Sequence, residues 1–133
     1  MAALLDNIIT HNPKAQLLFN YIPAQEEDAR AILNLCRSKT KKNIFFNVFG
    51  SSLRDFLALT YHCHAFIGNE GGANNMAKAL GVPTFTIFSP YLNKANWFGN
   101  DESIRHVAIH LADYITVSEK MRIEAKENPN LSI

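Results

Sequence analysis

Length, composition and charge place this chain among folded single domains and exclude several classes of function. The 133 residues suffice for one hydrophobic core, and 47% apolar with 19% charged residues is typical of a globular domain. A net charge of +1 gives no reason to expect nucleic acid as a partner, and no apolar run reaches the roughly 18 residues that a transmembrane helix needs. The N-terminus lacks the arrangement of a signal peptide, and the cysteines lack the spacing of a metal site. We therefore expect one cytoplasmic domain over 1–133.

The apolar pattern of the first half alternates between helical and strand periodicity. Its first predicted element is a helix with apolar residues at Leu4, Leu5, Ile8 and Ile9 that ends at Asn12-Pro13. The others are a strand over 16–22, a helix over 26–39, a strand over 43–49, and a helix over 53–61 after the turn Gly50-Ser51-Ser52. The second half continues with a strand over 65–68, a helix over 73–80, a strand over 84–88, a polar loop over 89–103, a strand over 104–110 and a helix over 115–126.

Strands that alternate strictly with helices predict a mostly parallel, Rossmann-like sheet with right-handed crossovers. The expected fold is therefore an α/β three-layer sandwich. Ligands of such sheets bind beyond the carboxyl ends of the strands. The loops that follow residues 22, 50, 68 and 88 are accordingly the ones in which we expect a binding site.

The turn Gly68-Asn69-Glu70-Gly71-Gly72 joins the third predicted strand to its helix. Glycines let a ligand approach the backbone, and the first N–H groups of a helix attract phosphate. Asn74 and Asn75 add amide groups, and they favour a binding role because two poor helix formers in one first turn cost stability that nothing local returns. An ordinary tight turn, with Glu70 complementing the helix dipole, is the alternative interpretation. The spacing does not match the dinucleotide fingerprint, so no nicotinamide cofactor is expected.

Residues 65–84, AFIGNEGGANNMAKALGVPT, resemble the donor-site segment of glycosyltransferase family 9, the heptosyltransferases of lipopolysaccharide core assembly. The family pattern runs like Gly-Asn-Asp-Ser/Thr-Gly-x-x-His-x-Ala-x-Ala-Leu-Gly-x-Pro. The similarity continues into Phe88-Ser89-Pro90 and Trp97, and SLRDFLAL at 52–59 is similar to a Ser-Leu-x-Glu-Leu-x-Ala-Leu helix of the family. The resemblance is specific over 51–97.

This resemblance implies the C-terminal, donor-binding half of a two-domain, inverting GT-B glycosyltransferase. Its co-substrate is a nucleoside-diphosphate sugar, with no other cofactor and no metal, and its acceptor is lipopolysaccharide or a related glycan. The catalytic base belongs to an N-terminal domain missing from this chain, so the catalytic residues are unknown and the chain alone is expected to be inactive. The expected donor-binding residues are Ser51, Ser52, Asn69, Glu70, Gly71, Gly72, Asn74, Asn75 and Ser89.

Three positions depart from the family pattern. Glu70 replaces aspartate, Gly71 replaces a hydroxyl residue, and Asn75 stands where the family has histidine. Two side-chain contacts to the donor are thereby lost, so the sugar need not be the family's own. The retaining GT-B pattern pairs two glutamates eight positions apart, and Lys78 occupies the second position, which favours the inverting family.

Two other functions fit parts of the sequence. A stand-alone nucleotide- or phosphate-binding module would use the same helix start without catalysis. A response-regulator-like signalling domain fits poorly, because such domains need acidic residues where the first strand ends and this chain has Tyr21-Ile22-Pro23.

Two local clusters have ordinary interpretations beside functional ones. The cations Arg37, Lys39, Lys41 and Lys42 are typical of a solvated helix end, and the alternative is peripheral contact with anionic lipid at the inner membrane face. His62-Cys63-His64 would place two imidazoles on one face of a strand, but no third metal ligand is near in sequence.

Overall fold

The structure is a computed structural model that describes residues 1–94 and 105–127. The chain is α/β, and the described strands form a two-stranded and a three-stranded sheet in which every pairing is parallel. It divides into two compact units, Met1–Phe56 and Leu57–Ile133. The predicted α/β class with parallel strands is confirmed, although the described strands form two small sheets rather than the one that the alternation predicts.

The first unit combines short helices with a minimal sheet. Its elements are α1 (Ala2–His11), β1 (Leu17–Leu18), a 3₁₀ turn (Pro23–Gln25), α2 (Glu26–Leu35), α3 (Ser38–Lys41) and β2 (Ile44–Phe45), and α4 (Leu53–Tyr61) begins near its end. Leu5 and Ile9 of α1 are buried at helical spacing, as the apolar pattern predicts. β1 and β2 pair with Leu17 opposite Ile44.

Strands are predicted over 16–22 and 43–49, but in the structure each strand has only two residues. Beyond the paired residues the two segments meet through aromatic side chains. The Tyr21 ring lies 4.9 Å from that of Phe46 and 5.0 Å from that of Phe49, and the Tyr21 hydroxyl donates to the Phe46 carbonyl at 3.4 Å. Ring contacts, which no strand periodicity reveals, take the place of the expected ladder.

The single helix predicted over 26–39 is wrong, because α2 ends at Leu35 and α3 begins at Ser38. Cys36 and Arg37 between them are extended. The Asp6 carboxylate on α1 accepts hydrogen bonds from the Arg37 N–H at 3.0 Å and from the Thr40 hydroxyl at 2.5 Å. A continuous helix would bond that N–H internally, so the carboxylate favours the break.

The second unit is built on a three-stranded sheet. Its elements are β3 (Phe66–Asn69), α5 (Gly72–Ala79), β4 (Thr84–Phe88), β5 (His106–His110), a 3₁₀ turn (Leu111–Asp113) and α6 (Glu119–Glu127). The strand order is β3-β4-β5, with Thr84 between Phe66 and His106. β4 is central, and its residues Thr84, Thr86 and Phe88 are buried in alternation.

The last helix begins at Glu119 rather than near residue 115, because the Ser118 hydroxyl accepts from the Met121 N–H and caps the helix. Part of the predicted loop over 89–103 and part of the predicted strand over 104–110 lie outside the described residues. Trp97 also lies outside them. Of the helices within 1–94 and 105–127, none is sufficiently long and apolar to cross a membrane.

Candidate functional site

The turn between β3 and α5 has the backbone geometry that the glycines predict. Gly71 precedes the first helical residue with φ 145° and ψ −168°, a region that essentially only glycine occupies. Gly72 is exposed, and a Cβ at either glycine would meet nothing within 4 Å. The backbone on this side of the turn is therefore open to an approaching ligand.

The start of α5 presents amide hydrogens without a capping side chain. The first helical bond runs from the Asn75 N–H to the Gly71 carbonyl at 3.1 Å, so the N–H groups of residues 72–74 precede the helical ladder. Among the described residues, no side chain caps this helix. Together with the positive end of the helix dipole, these amides form a site suited to an anion.

Glu70 connects the ends of two neighbouring strands. Its Oε2 accepts a hydrogen bond from the Ser89 N–H at 3.2 Å, so the carboxylate following β3 is tied to the residue following β4. Ser89 itself is only 5% exposed, and its carbonyl accepts from the Leu92 N–H at 3.0 Å. The Glu70 carboxylate can accept hydrogen bonds from ligand hydroxyls but opposes a second anion placed next to it.

The two asparagines of the first helical turn differ in their surroundings. Asn74 is 3% exposed, and its Oδ1 accepts from the Thr86 hydroxyl of β4 at 2.9 Å. This bond offsets the poor helix propensity of Asn74. The compensating contact is not local, because it comes from β4, 12 residues along the chain. Asn75 is exposed and remains accessible to a ligand. Sequence reasoning missed Thr86, because the alternation of threonine with apolar residues along 84–88 gives no sign that the threonines are buried.

Ser51 and Ser52 belong to the first unit and form the cap of α4. The Ser52 hydroxyl accepts from the Asp55 N–H at 3.2 Å, and the Ser51 hydroxyl donates to Asp55 Oδ2 at 2.9 Å. Both hydroxyls hold the pKa of the Asp55 carboxyl below its ordinary value, with Ser51 the larger cause. The Ser-x-x-Asp spacing, a capping pattern, signals this role in the sequence.

The predicted donor residues therefore divide between the units. Seven lie in the second unit, where they surround the carboxyl ends of β3 and β4: Asn69, Glu70, Gly71, Gly72, Asn74, Asn75 and Ser89. Ser51 and Ser52 lie in the first unit with a local capping role.

His62 and His64 lie between α4 and β3 rather than on a strand, and both are exposed. Within 1–94 and 105–127, no three His, Cys, Asp or Glu residues are grouped so that they could hold a metal ion. Comparison of the chain with protein-family models, with curated proteins and with solved structures found no match.

Proposed function

We propose that this chain is the donor-binding half of an inverting glycosyltransferase similar to family 9. It would take a heptose-like sugar from a nucleoside diphosphate and, with a second domain, transfer it to lipopolysaccharide or a related glycan. The observation that carries the proposal is the start of α5, where an uncapped helix follows Gly71 at φ 145° and Gly72 is exposed.

The diphosphate would lie against the N–H groups of residues 72–74. Those amides and the helix dipole favour negative charge, and the missing side chain at Gly72 leaves room for phosphate oxygens to reach the backbone. Glu70, held by the Ser89 N–H, would accept hydrogen bonds from sugar hydroxyls rather than face the phosphates. The exposed Asn75 amide would reach phosphate or ribose oxygens.

The parallel order β3-β4-β5 supports a Rossmann-like, three-layer GT-B half, in which donors bind at the carboxyl ends of strands. Catalysis would require a carboxylate base from an N-terminal domain to deprotonate the acceptor hydroxyl. A stand-alone nucleotide-binding module would use the same helix start without that base. Sugar transfer by the chain joined to such a domain distinguishes the two functions, because a binding module would give none.

The first prediction is that Gly72→Asp abolishes nucleotide binding while the fold persists. The new carboxylate would occupy the diphosphate position and complement the helix dipole in its place. Its Cβ meets nothing within 4 Å, so folding should change little. Gly72→Ala is the matched control, because it adds a Cβ without charge and should weaken binding much less than Gly72→Asp.

The measurement is amide hydrogen exchange with and without millimolar ADP. We expect ADP to slow exchange at residues 69–75 in the wild type and in Gly72→Ala, and to leave exchange unchanged in Gly72→Asp. Equal ADP protection in Gly72→Asp, or none in the wild type, would contradict a diphosphate site at this helix start.

A further inference from the structure

Positive charge is concentrated in the first unit on the segment that follows α2. Four exposed cations lie between residues 37 and 42, namely Arg37, Lys39, Lys41 and Lys42. The acidic residues of α2 lie in its first turn, at the opposite end of that helix. Residues 35–42, which we call the basic segment, therefore form a surface on which one sign of charge prevails.

The helix dipole accounts for only part of this charge. Lys41 Nζ donates to the Asn34 carbonyl in the last turn of α2 at 2.8 Å, as a cation at a helix C-terminus does. Arg37 instead precedes α3, at the positive end of its dipole, and α3 has only four residues. The interpretation that all four cations complement the end of one long helix does not fit two helices that are separate and short.

Few carboxylates offset the remaining cations. Asp6, whose side chain is 12% exposed, lies 3.7 Å from Arg37 Nε. Among the residues that the structure describes, the ammonium groups of Lys39 and Lys42 have no ion pair and no hydrogen-bond partner. Unpaired like charges so close in the chain repel each other, and an anionic partner would relieve that repulsion.

Leu35 places an apolar side chain beside these cations. It is the last residue of α2 and is 76% exposed, and the Lys41 ammonium binds the carbonyl of the residue before it. An exposed leucine alone is ordinary. Beside four cations it suits an anionic bilayer, whose phosphates attract the cations while its acyl region takes up the leucine. A nucleic acid would use the cations but would gain nothing from Leu35.

We propose that the basic segment binds the anionic surface of a lipid bilayer, a function separate from the proposed donor site. Lipid phosphates would lie against the unpaired ammonium groups of Lys39 and Lys42. Leu35 would enter the boundary between the headgroups and the acyl chains. Each cation near the surface contributes about fivefold to the affinity, so binding is reversible and is weakened by salt.

The test is co-sedimentation of the full chain with phosphatidylcholine vesicles that contain about one third phosphatidylglycerol, compared with vesicles of phosphatidylcholine alone. We expect saturable binding to the anionic vesicles, decreasing as NaCl is raised, and little binding to the neutral vesicles. Absence of binding to anionic vesicles at low salt, or equal binding to both kinds of vesicle, would overturn the proposal.

Two variants separate the electrostatic from the apolar contribution. Lys39→Gln combined with Lys42→Gln removes the unpaired ammonium groups and should weaken vesicle binding about 25-fold. Leu35→Gln keeps every charge and should weaken binding about tenfold, because its side chain no longer leaves water for the acyl boundary. All three residues are exposed, so folding should change little. No effect of Leu35→Gln, or displacement from the vesicles by a DNA duplex at equal phosphate concentration, would contradict a bilayer as the partner.

The matched control is Lys120→Gln combined with Lys126→Gln, which removes the same charge from α6 in the second unit. It should weaken vesicle binding by less than about threefold, because salt screens charges outside the contact. Equal weakening by this control would show that net charge governs binding and would overturn the proposal. The Lys39→Gln, Lys42→Gln variant should keep the ADP protection of residues 69–75, so failure of this surface and failure of the donor site are distinguishable.

Discussion

At the scale of single residues, Gly71 and Gly72 are neighbours with different physical requirements. Gly71 has φ 145°, which L-residues rarely adopt, whereas Gly72 is the first residue of α5. Neither would bring a Cβ into contact with another atom. Backbone conformation alone therefore separates the two positions, and they form a matched pair for mutation.

We expect Gly71→Ala to lower the free energy of unfolding by about 1–3 kcal/mol, the cost of holding a non-glycine residue in this backbone region. Gly72→Ala should be neutral or raise it by about 0.5 kcal/mol, because alanine restricts the unfolded chain and fits a helix. Urea denaturation measures both. Equal effects of the two substitutions would mean that the backbone at Gly71 is not in this conformation.

At the scale of elements, sequence periodicity predicted those helices and strands whose bounds depend on residues nearby in the sequence. The helix over 73–80 and the strand over 84–88 match α5 and β4 within one residue, because their apolar patterns and the flanking Gly81 and Pro83 lie within the same short window. The break between α2 and α3 depends on Asp6, which lies 34 residues from Thr40. A window of helical length cannot contain that contact, so the sequence predicted one helix where there are two.

The candidate site divides in the same way. The Gly71 conformation follows from local turn chemistry and was predictable. The cap formed by Ser51 and Ser52 also has a local sequence signal, but the family resemblance predicted a donor-binding role for these two serines instead. The contact of Asn74 with Thr86 joins a helix to a strand, and no spacing within α5 reveals it.

The Asn74–Thr86 bond is expected to couple α5 to β4 energetically. Asn74→Ala leaves the buried Thr86 hydroxyl without its acceptor and should cost about 1–3 kcal/mol. Adding Thr86→Val removes that unpaired group, so the double variant should be less destabilised than the sum of the single variants by about 1 kcal/mol. Asn75→Ala, on the exposed neighbour, should change stability by less than about 0.5 kcal/mol. Strict additivity in urea denaturation would contradict the coupling.

At the scale of the whole molecule, three carboxylates with lowered pKa values link stability to pH. The Thr40 hydroxyl is the largest cause at Asp6, the Ser51 hydroxyl at Asp55 and the Lys94 ammonium at Asp113. Two of these contacts join segments distant in sequence, with 34 residues separating Asp6 from Thr40 and 19 separating Lys94 from Asp113. Both units of the chain therefore contain a group that must stay ionised to keep its contacts.

The last prediction follows from the sign of these shifts. A pKa lower in the folded than in the unfolded state contributes stability that is fully present above the ordinary aspartate value of 3.8. That contribution is lost as the pH falls through the lower, folded pKa. Thr40→Val removes the main cause at Asp6, so the Asp6 pKa should rise towards 3.8 and the variant should lose stability at neutral pH, with the difference from wild type narrowing in acid.

Carbon-13 NMR titration of the Asp6 carboxyl, with urea denaturation from neutral pH to below the folded pKa, measures both effects. Thr10→Val is the matched control, because the Thr10 hydroxyl donates to the Asp6 main-chain carbonyl and not to its carboxylate. It should leave the Asp6 pKa in place. Two outcomes would show that the Thr40 hydroxyl acts through packing rather than through the charge on Asp6. One is a similar shift of the Asp6 pKa in both variants. The other is a loss of unfolding free energy in Thr40→Val that persists unchanged below the folded pKa. The pH dependence would then have to originate in the other carboxylates.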